Sequence, residues 1–311
     1  MGTAWSLFLD GEIDADSPTH LEEYLKRNEV PPWSYVVLNS PGGNLYAGME
    51  LGRIIRKNHL RTDIGQKVSK LGRFEVQKGV CFSACTLAYV GGEFRYIKDG
   101  SKFGVHRFFF SKSSDNSVDI SQIASAEIVA YLQSMDIATE LFSESTRAAA
   151  DEINVLSVEK LQELNIVTNG FQRPKWSLET KIGQIYLKGE RETVYGINKF
   201  IVMCRDKKQI VLYVVVDPQG RKDEIQLMGS HKLVVDGNYT KLEPFNKQVT
   251  NGWFNAFYNL NSRQVQAIGN AKNVGVIMQS RPDAPFFLGF DYMPLNEGKE
   301  MLGAFLNNCT N

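Results

Sequence analysis

"LNSPGGNLYAGMELGRIIRK", Leu38–Lys57, runs from an apolar segment through Ser-Pro-Gly-Gly into a helical pattern. Two adjacent glycines, Gly42 and Gly43, stand where a strand feeds a helix, and no Lys-Ser or Lys-Thr pair follows them to hold a phosphate. A residue without a Cβ turns tightly and leaves its main-chain N–H open to approach. The pair therefore reads either as a tight turn or as a loop of backbone donors for an oxyanion, with Asn44 beside it. Which reading holds depends on whether a nucleophile lies nearby.

Outward from this stretch, apolar segments alternate with helical patterns as far as about Val167. "WSLFL" (Trp5–Leu9) and "YVVLN" (Tyr35–Asn39) are continuous apolar runs of strand length, as in strands buried on both faces of a parallel sheet. Between them "SPTHLEEYLKR" has a helix start, with Ser17, Pro18 at the first helical position, and Glu22 and Glu23 in the early turns. After the glycines, Met49, Gly52, Arg53 and Arg56 recur at helical spacing, with Leu51, Ile54 and Ile55 on the buried side. The order βαβα predicts an α/β domain. A long helix is expected from Ile120 to about Thr146, and a short capped one over Ser157–Ile166 with Glu159 and Glu163 exposed.

From Phe171 the pattern changes. "KIGQIYLKG", "KFIVMCRD", "QIVLYVVVDPQGR" and "KLVVDGNY" alternate apolar and polar residues between Asp-Pro-Gln-Gly and Asp-Gly turns, which predicts antiparallel strands and hairpins. "NEGKEMLGAFLNNC" reads as a final helix, and "NGFQRPKW" (Asn169–Trp176) as the linker. The expected organisation is an N-terminal domain over 1–170 and a smaller β-rich domain over 171–311 that ends in a helix.

Composition removes several classes. With 311 residues, 43% of them hydrophobic, the chain can bury a large core. Its 35 basic and 35 acidic side chains cancel, so nothing in the balance argues for nucleic acid or an anionic surface. No apolar run approaches the roughly 20 residues of a membrane span. The opening "MGTAWS" fits a myristoylation pattern, although a short match of this kind is weak. His20, His59 and His231 have no ligand-like spacing with Cys, Asp or Glu, so neither a metal nor another cofactor is expected.

The chemistry is concentrated in "KGVCFSACTLAYVGG" (Lys78–Gly92) and "SKFGVHRF" (Ser101–Phe108). Ser83 stands just before a helical stretch, where unpaired N–H groups and the helix dipole favour negative charge. A serine hydroxyl needs a base, and His106 closes the next strand-like segment.

"FLDGEI", "LNSPGGNLYAGMELGRII", "CFSACTLAYVGGEFR", "FGVHRF" and "LSVEKLQELNIV", in this order, resemble the Clp protease proteolytic-subunit family, and especially its secreted, Clp-like bacterial branch. The resemblance covers Trp5 to about Val167. It implies a ClpP/crotonase-like fold of repeated ββα units and serine peptidase activity. By the same resemblance Ser83 is the nucleophile, His106 the base, and Gly43 and Ala84 supply the oxyanion hole, with Gly42 and Asn44 in the substrate loop. A peptide or protein is the implied substrate, and a homo-oligomer a possible assembly. Asp151, Glu152 and Asn154 all lie in the segment that carries the family's triad acid, and none sits at the usual offset. Asp151 is preferred because a carboxylate stabilises the imidazole cation better than an amide does, while Asp119 and Asp136 stay open. A non-enzymatic binding protein that keeps the fold and interacts through its C-terminal half is the alternative. Crotonase-type acyl-CoA chemistry gives no reason for Ser83 and His106 to occur together.

Two features depart from the compact family members. "RTDIGQKVSKLGRFEVQKG" (Arg61–Gly79) is long and carries Lys67, Lys70, Arg73 and Lys78; a solvated excursion is favoured over a substrate-guiding lid. The secreted relatives commonly keep a cysteine on each side of the serine, as Cys81 and Cys85 do here, and Cys204 and Cys309 form a second candidate pair. Disulfides need an oxidising compartment, which favours the periplasm or cell exterior with a signal peptide outside this sequence; four buried thiols in the cytoplasm is the other reading.

Overall fold

The computed structural model describes residues 4–70, 73–108, 117–149, 151–206 and 208–310. The chain is mixed α/β and divides into two compact units, 1–170 and 171–311.

In the first unit, β1 (Ser6–Asp10) is followed by α1 (Ser17–Asn28), β2 (Tyr35–Asn39), α2 (Leu45–Lys57) and β3 (Arg61–Ile64). The three strands form a parallel sheet in the order β1-β2-β3, with Ser6 opposite Tyr35 and Tyr35 opposite Arg61. Only the central strand is buried as its apolar run predicts: Val36, Val37 and Leu38 are inside, whereas β1, at the sheet's edge, is half-exposed. The side chain of Asn44 accepts from the Ala47 N–H and so caps α2, whose Met49, Leu51, Ile54 and Ile55 are buried in the core.

The long excursion is ordered as a hairpin of β4 (Gln66–Lys70) and β5 (Arg73–Gln77), its tip, 71–72, lying outside the described residues. Then come β6 (Val80–Phe82), α3 (Ala84–Val90) and β7 (Lys102–Val105). The helix expected over 120–146 is two: α4 (Ser117–Ser134) and α5 (Glu140–Thr146). The break follows from Asp136, which takes φ 57° and lets the Ile137 N–H donate back to the Leu132 carbonyl, a left-handed helix stop that apolar spacing does not reveal. β8 (Asn154–Val155) and α6 (Val158–Glu163) complete the unit, with Ser157 capping α6 through the Lys160 N–H. Arg95, 1% exposed, needs no carboxylate: its guanidinium donates to the main-chain carbonyls of Gly92, Asn165 and Ile166, and burial lowers it to about 10.

The second unit contains β9 (Lys175–Lys181), β10 (Gln184–Thr193), β11 (Gly196–Arg205), β12 (Gln209–Val216), α7 (Lys222–Leu227), β13 (Ser230–Val235), β14 (Asn238–Leu242), β15 (Pro244–Thr250), β16 (Trp253–Asn259), α8 (Ser262–Asn270), β17 (Asn273–Gln279), β18 (Leu288–Pro294) and α9 (Gly298–Thr310). "KIGQIYLKG", read above as one run, turns at Ile182-Gly183 between β9 and β10. Asp236-Gly237 joins β13 to β14, as its dipeptide predicts. The sheets are β15-β16-β12-β11-β10-β9 and β14-β13-β17-β18, antiparallel throughout. Phe200, Leu212, Val214 and Phe254 of the larger sheet share one core with Leu233, Val276 and Met278 of the smaller and with Ile268, Leu302 and Phe305 of the helices. Cys204 is disulfide-bonded to Cys309, with their Cα atoms 5.7 Å apart.

His231 is buried in this core, its Nδ1 2.7 Å from the Tyr258 hydroxyl and its Nε2 3.0 Å from the Met228 carbonyl. The carbonyl requires Nε2–H, so in the neutral ring Nδ1 accepts from the tyrosine hydroxyl. Burial pushes its pKa from 6.5 to about 4. The unfolded chain therefore binds a proton that the folded one refuses. Stability is full above pH 6.5, falls as pH drops towards 4 and levels out below it, by about 3 kcal/mol in all. Urea midpoints measured at pH 7.5 and 4.5 should show this decline, and His231→Asn should flatten it.

Candidate active site

The site is built by the ends of neighbouring strands. Ser40 continues β2 onto β6, its N–H donating to the Val80 carbonyl at 2.8 Å and its carbonyl accepting from Phe82 N–H at 3.0 Å. The chain then enters Pro41-Gly42-Gly43 while β6 runs into Ser83, so the glycine loop and the serine emerge side by side. β6 and β7 are parallel, with Phe82 opposite Gly104, and the Ser83 N–H donates to the Gly104 carbonyl at 3.0 Å. In that register His106 leaves the end of β7 next to where Ser83 and Ala84 leave β6.

Ser83 takes φ 54° and ψ −126°, a conformation that costs a non-glycine residue about 1–3 kcal/mol. It makes the strand turn sharply into α3 with the serine at the bend. The disulfide Cys81–Cys85 spans this bend, its Cα atoms 5.2 Å apart and both cysteines buried. Strain at Ser83 is thus held from both sides.

Gly42 packs directly on the bend: a Cβ there would lie 2.7 Å from both the Phe82 carbonyl oxygen and Ser83 Cβ. At Gly43, φ 136°, a Cβ would lie 2.2 Å from the Ile13 carbonyl oxygen, because Ile13 N–H and Asn44 N–H bond across the loop on either side of it. Both close approaches and both positive φ values require glycine. Gly43 N–H and Ala84 N–H make no hydrogen bond among the described residues. Gly42→Ala is expected to displace Ser83, costing about 1–3 kcal/mol in stability and at least 10-fold in labelling of Ser83 by a serine-directed probe. Chemical denaturation and labelling rates measured on the same preparation check it.

Ser83 and His106 line one small cavity of about 50 Å³, walled by Leu45, Leu87, Ile128, Leu132, Leu141 and Phe142. No hydrogen bond joins the two side chains; His106 Nδ1 lies 2.8 Å from the Arg107 carbonyl oxygen. Asp151 is exposed in the turn before β8, and its carboxylate makes no hydrogen bond to His106. Asp119 is in the first turn of α4, Asp136 at the α4 stop, and Glu152 exposed. Asn154 pairs with Val105, one residue from His106, and its amide donates to Glu144. Arg107 and the apolar walls carry no sequence signal of a site; only the packing of α4 and α5 reveals them.

No family model matches the chain, and no curated protein matches it. Among solved structures, a mutant of ClpP1 from Listeria monocytogenes matches over 52% of this chain and 88% of that chain, at 15% identity and a TM-score of 0.41. Among the described residues no group of three or more His, Cys, Asp or Glu is placed to hold a metal ion, and no helix is long and apolar enough to cross a membrane.

Proposed function

We propose that the first unit is a Clp-like serine peptidase domain and the second an accessory domain. The observation that carries the reading is the conformation of Ser83, held strained at a strand end beside two main-chain donors unpaired among the described residues and the strand that leads into His106. Backbone strain of this kind is retained where it positions a reacting group.

In the proposed cycle, Ser83 Oγ attacks a peptide carbonyl while His106 Nε2 takes its proton. The oxyanion is met by Gly43 N–H and Ala84 N–H, donors with no competing partner. His106 then gives the proton to the leaving amine, leaving an acyl-enzyme, and water repeats the sequence to regenerate the serine. The apolar cavity beside Ser83 suits an apolar substrate side chain. Asp151 has no part in this scheme. We extend the reading to a ClpP/crotonase-type fold with repeated ββα units, to a homo-oligomer, and to an exported protein, since two disulfides persist in an oxidising compartment.

One observation favours the alternative, a binding protein that interacts through its second unit. The open face of the six-stranded sheet forms a groove of about 990 Å³, lined by Tyr186, Tyr213, Trp253 and Phe257 among others. A fluorophosphonate probe separates the two readings. Labelling of Ser83 that is lost in His106→Ala supports the peptidase, and an unlabelled wild-type protein leaves the binder.

A further inference from the structure

We propose that a main-chain carbonyl, that of Arg107, orients His106, and that Arg107 is the positioning residue of the site. The inference rests on the peptidase reading and fills its third position.

A carbonyl oxygen only accepts, so the Nδ1 that lies 2.8 Å from it carries the hydrogen. In the neutral ring Nε2 then holds the lone pair. That is the tautomer a general base needs, and the one a triad carboxylate imposes. Arg107 is itself held at two points, its N–H and its Nε–H both donating to the Ala148 carbonyl, at 3.3 and 3.1 Å. Ala148 is buried just beyond α5. This double contact ties the end of β7 to the packed part of the unit and fixes the peptide whose oxygen meets His106.

Among the described residues the carboxylates nearby are otherwise engaged or exposed. Glu144 is buried, with Arg147 at 3.1 Å and the Asn154 amide at 3.4 Å, and Asp151 faces solvent. The carbonyl therefore supplies orientation without the negative charge that stabilises an imidazolium. The site works as a serine–histidine pair with its histidine aimed by the backbone.

Nitrogen-15 NMR of the histidine side chains in the full-length protein reads the tautomer directly, with the His106 signals assigned by their loss in His106→Gln. The wild type is expected in the Nδ1–H form, and Arg107→Ala is expected to shift it to a mixture rich in Nε2–H. Arg107 is exposed, so the variant should keep the other histidine signals and the circular dichroism of the wild type. Its kcat is expected to fall about 10-fold with KM unchanged, through misplacement of the base, and Asp151→Asn is expected to cost less. An Nε2–H wild type, an Arg107→Ala variant that keeps both tautomer and kcat, or a larger loss in Asp151→Asn overturns the proposal. Because the tautomer is read without turnover, an Nδ1–H ring beside an unreactive Ser83 rejects the peptidase reading while supporting the contact that orients the ring.

Discussion

Ser83→Ala is expected to lower kcat/KM on a peptide substrate by about 10⁴–10⁶-fold, equivalent to about 5–8 kcal/mol of transition-state stabilisation. His106→Ala should cost nearly as much, and the double variant no more than the worse single. The reason is that nucleophile and base perform one step: without the base the hydroxyl keeps its proton, and without the hydroxyl the base has nothing to deprotonate. In the proposed mechanism, what would remain in either variant is polarisation of the carbonyl by Gly43 and Ala84 N–H, which would still favour attack by water. Ser83 is half-buried and its side chain forms no hydrogen bond among the described residues, so its loss should leave the unfolding midpoint nearly unchanged. Steady-state hydrolysis and denaturation of the same preparations test both halves, and hydrolysis that survives in Ser83→Ala removes the mechanism.

Removing the second disulfide, by Cys204→Ser with Cys309→Ser, is expected to destabilise the C-terminal unit by up to about 4.7 kcal/mol. The bond joins residues 105 apart, from the end of β11 to the last turns of α9, and so restricts about three quarters of that unit's unfolded chain. The closing helix is also docked. Leu302, Phe305 and Leu306 are buried against the sheets, Met301 is partly so, and Cys309 itself is 2% exposed. Loss of the bond would free an end whose contacts alone must then hold it. Calorimetry or urea unfolding should show the loss, and peptide mapping without reduction should recover Cys204 linked to Cys309. An unchanged unfolding midpoint in the double variant would sink this expectation.

The parallel pair β1-β2 and the Asp-Gly hairpin of β13 and β14 are legible in the chain because strand-length apolar runs and Asp-Gly turns are local signals, whereas β3 lies in the stretch read as a solvated excursion and Asp-Pro-Gln-Gly leads into α7 instead of a hairpin. The break between α4 and α5 is not, since it turns on one aspartate adopting a left-handed φ inside an otherwise helical pattern. The hairpin of β4 and β5 is also hidden, because its mixed charges read as a solvated excursion and only cross-strand pairing orders it. The turn at Ile182-Gly183 escapes for a third reason: isoleucine is a poor candidate for φ 51°, and glycine alone was the visible cue.

At the site the same division holds. Gly42 and Gly43, Ser83 and His106 stand out by residue type, because few other residues suit a close approach, a nucleophile or a base at neutral pH. By itself the sequence showed adjacent glycines after one strand-length run, a serine just before a helical stretch and a histidine closing another strand-like segment. Only the tertiary structure decided that those ends meet, since parallel pairing of Phe82 with Gly104 and the Ser40 bridge to Cys81 are contacts between distant segments. It also decided what faces His106 Nδ1. That position went to the Arg107 carbonyl, with Asp151 left in solvent, because a ring's partner depends on where a folded backbone passes, and every residue carries the same carbonyl.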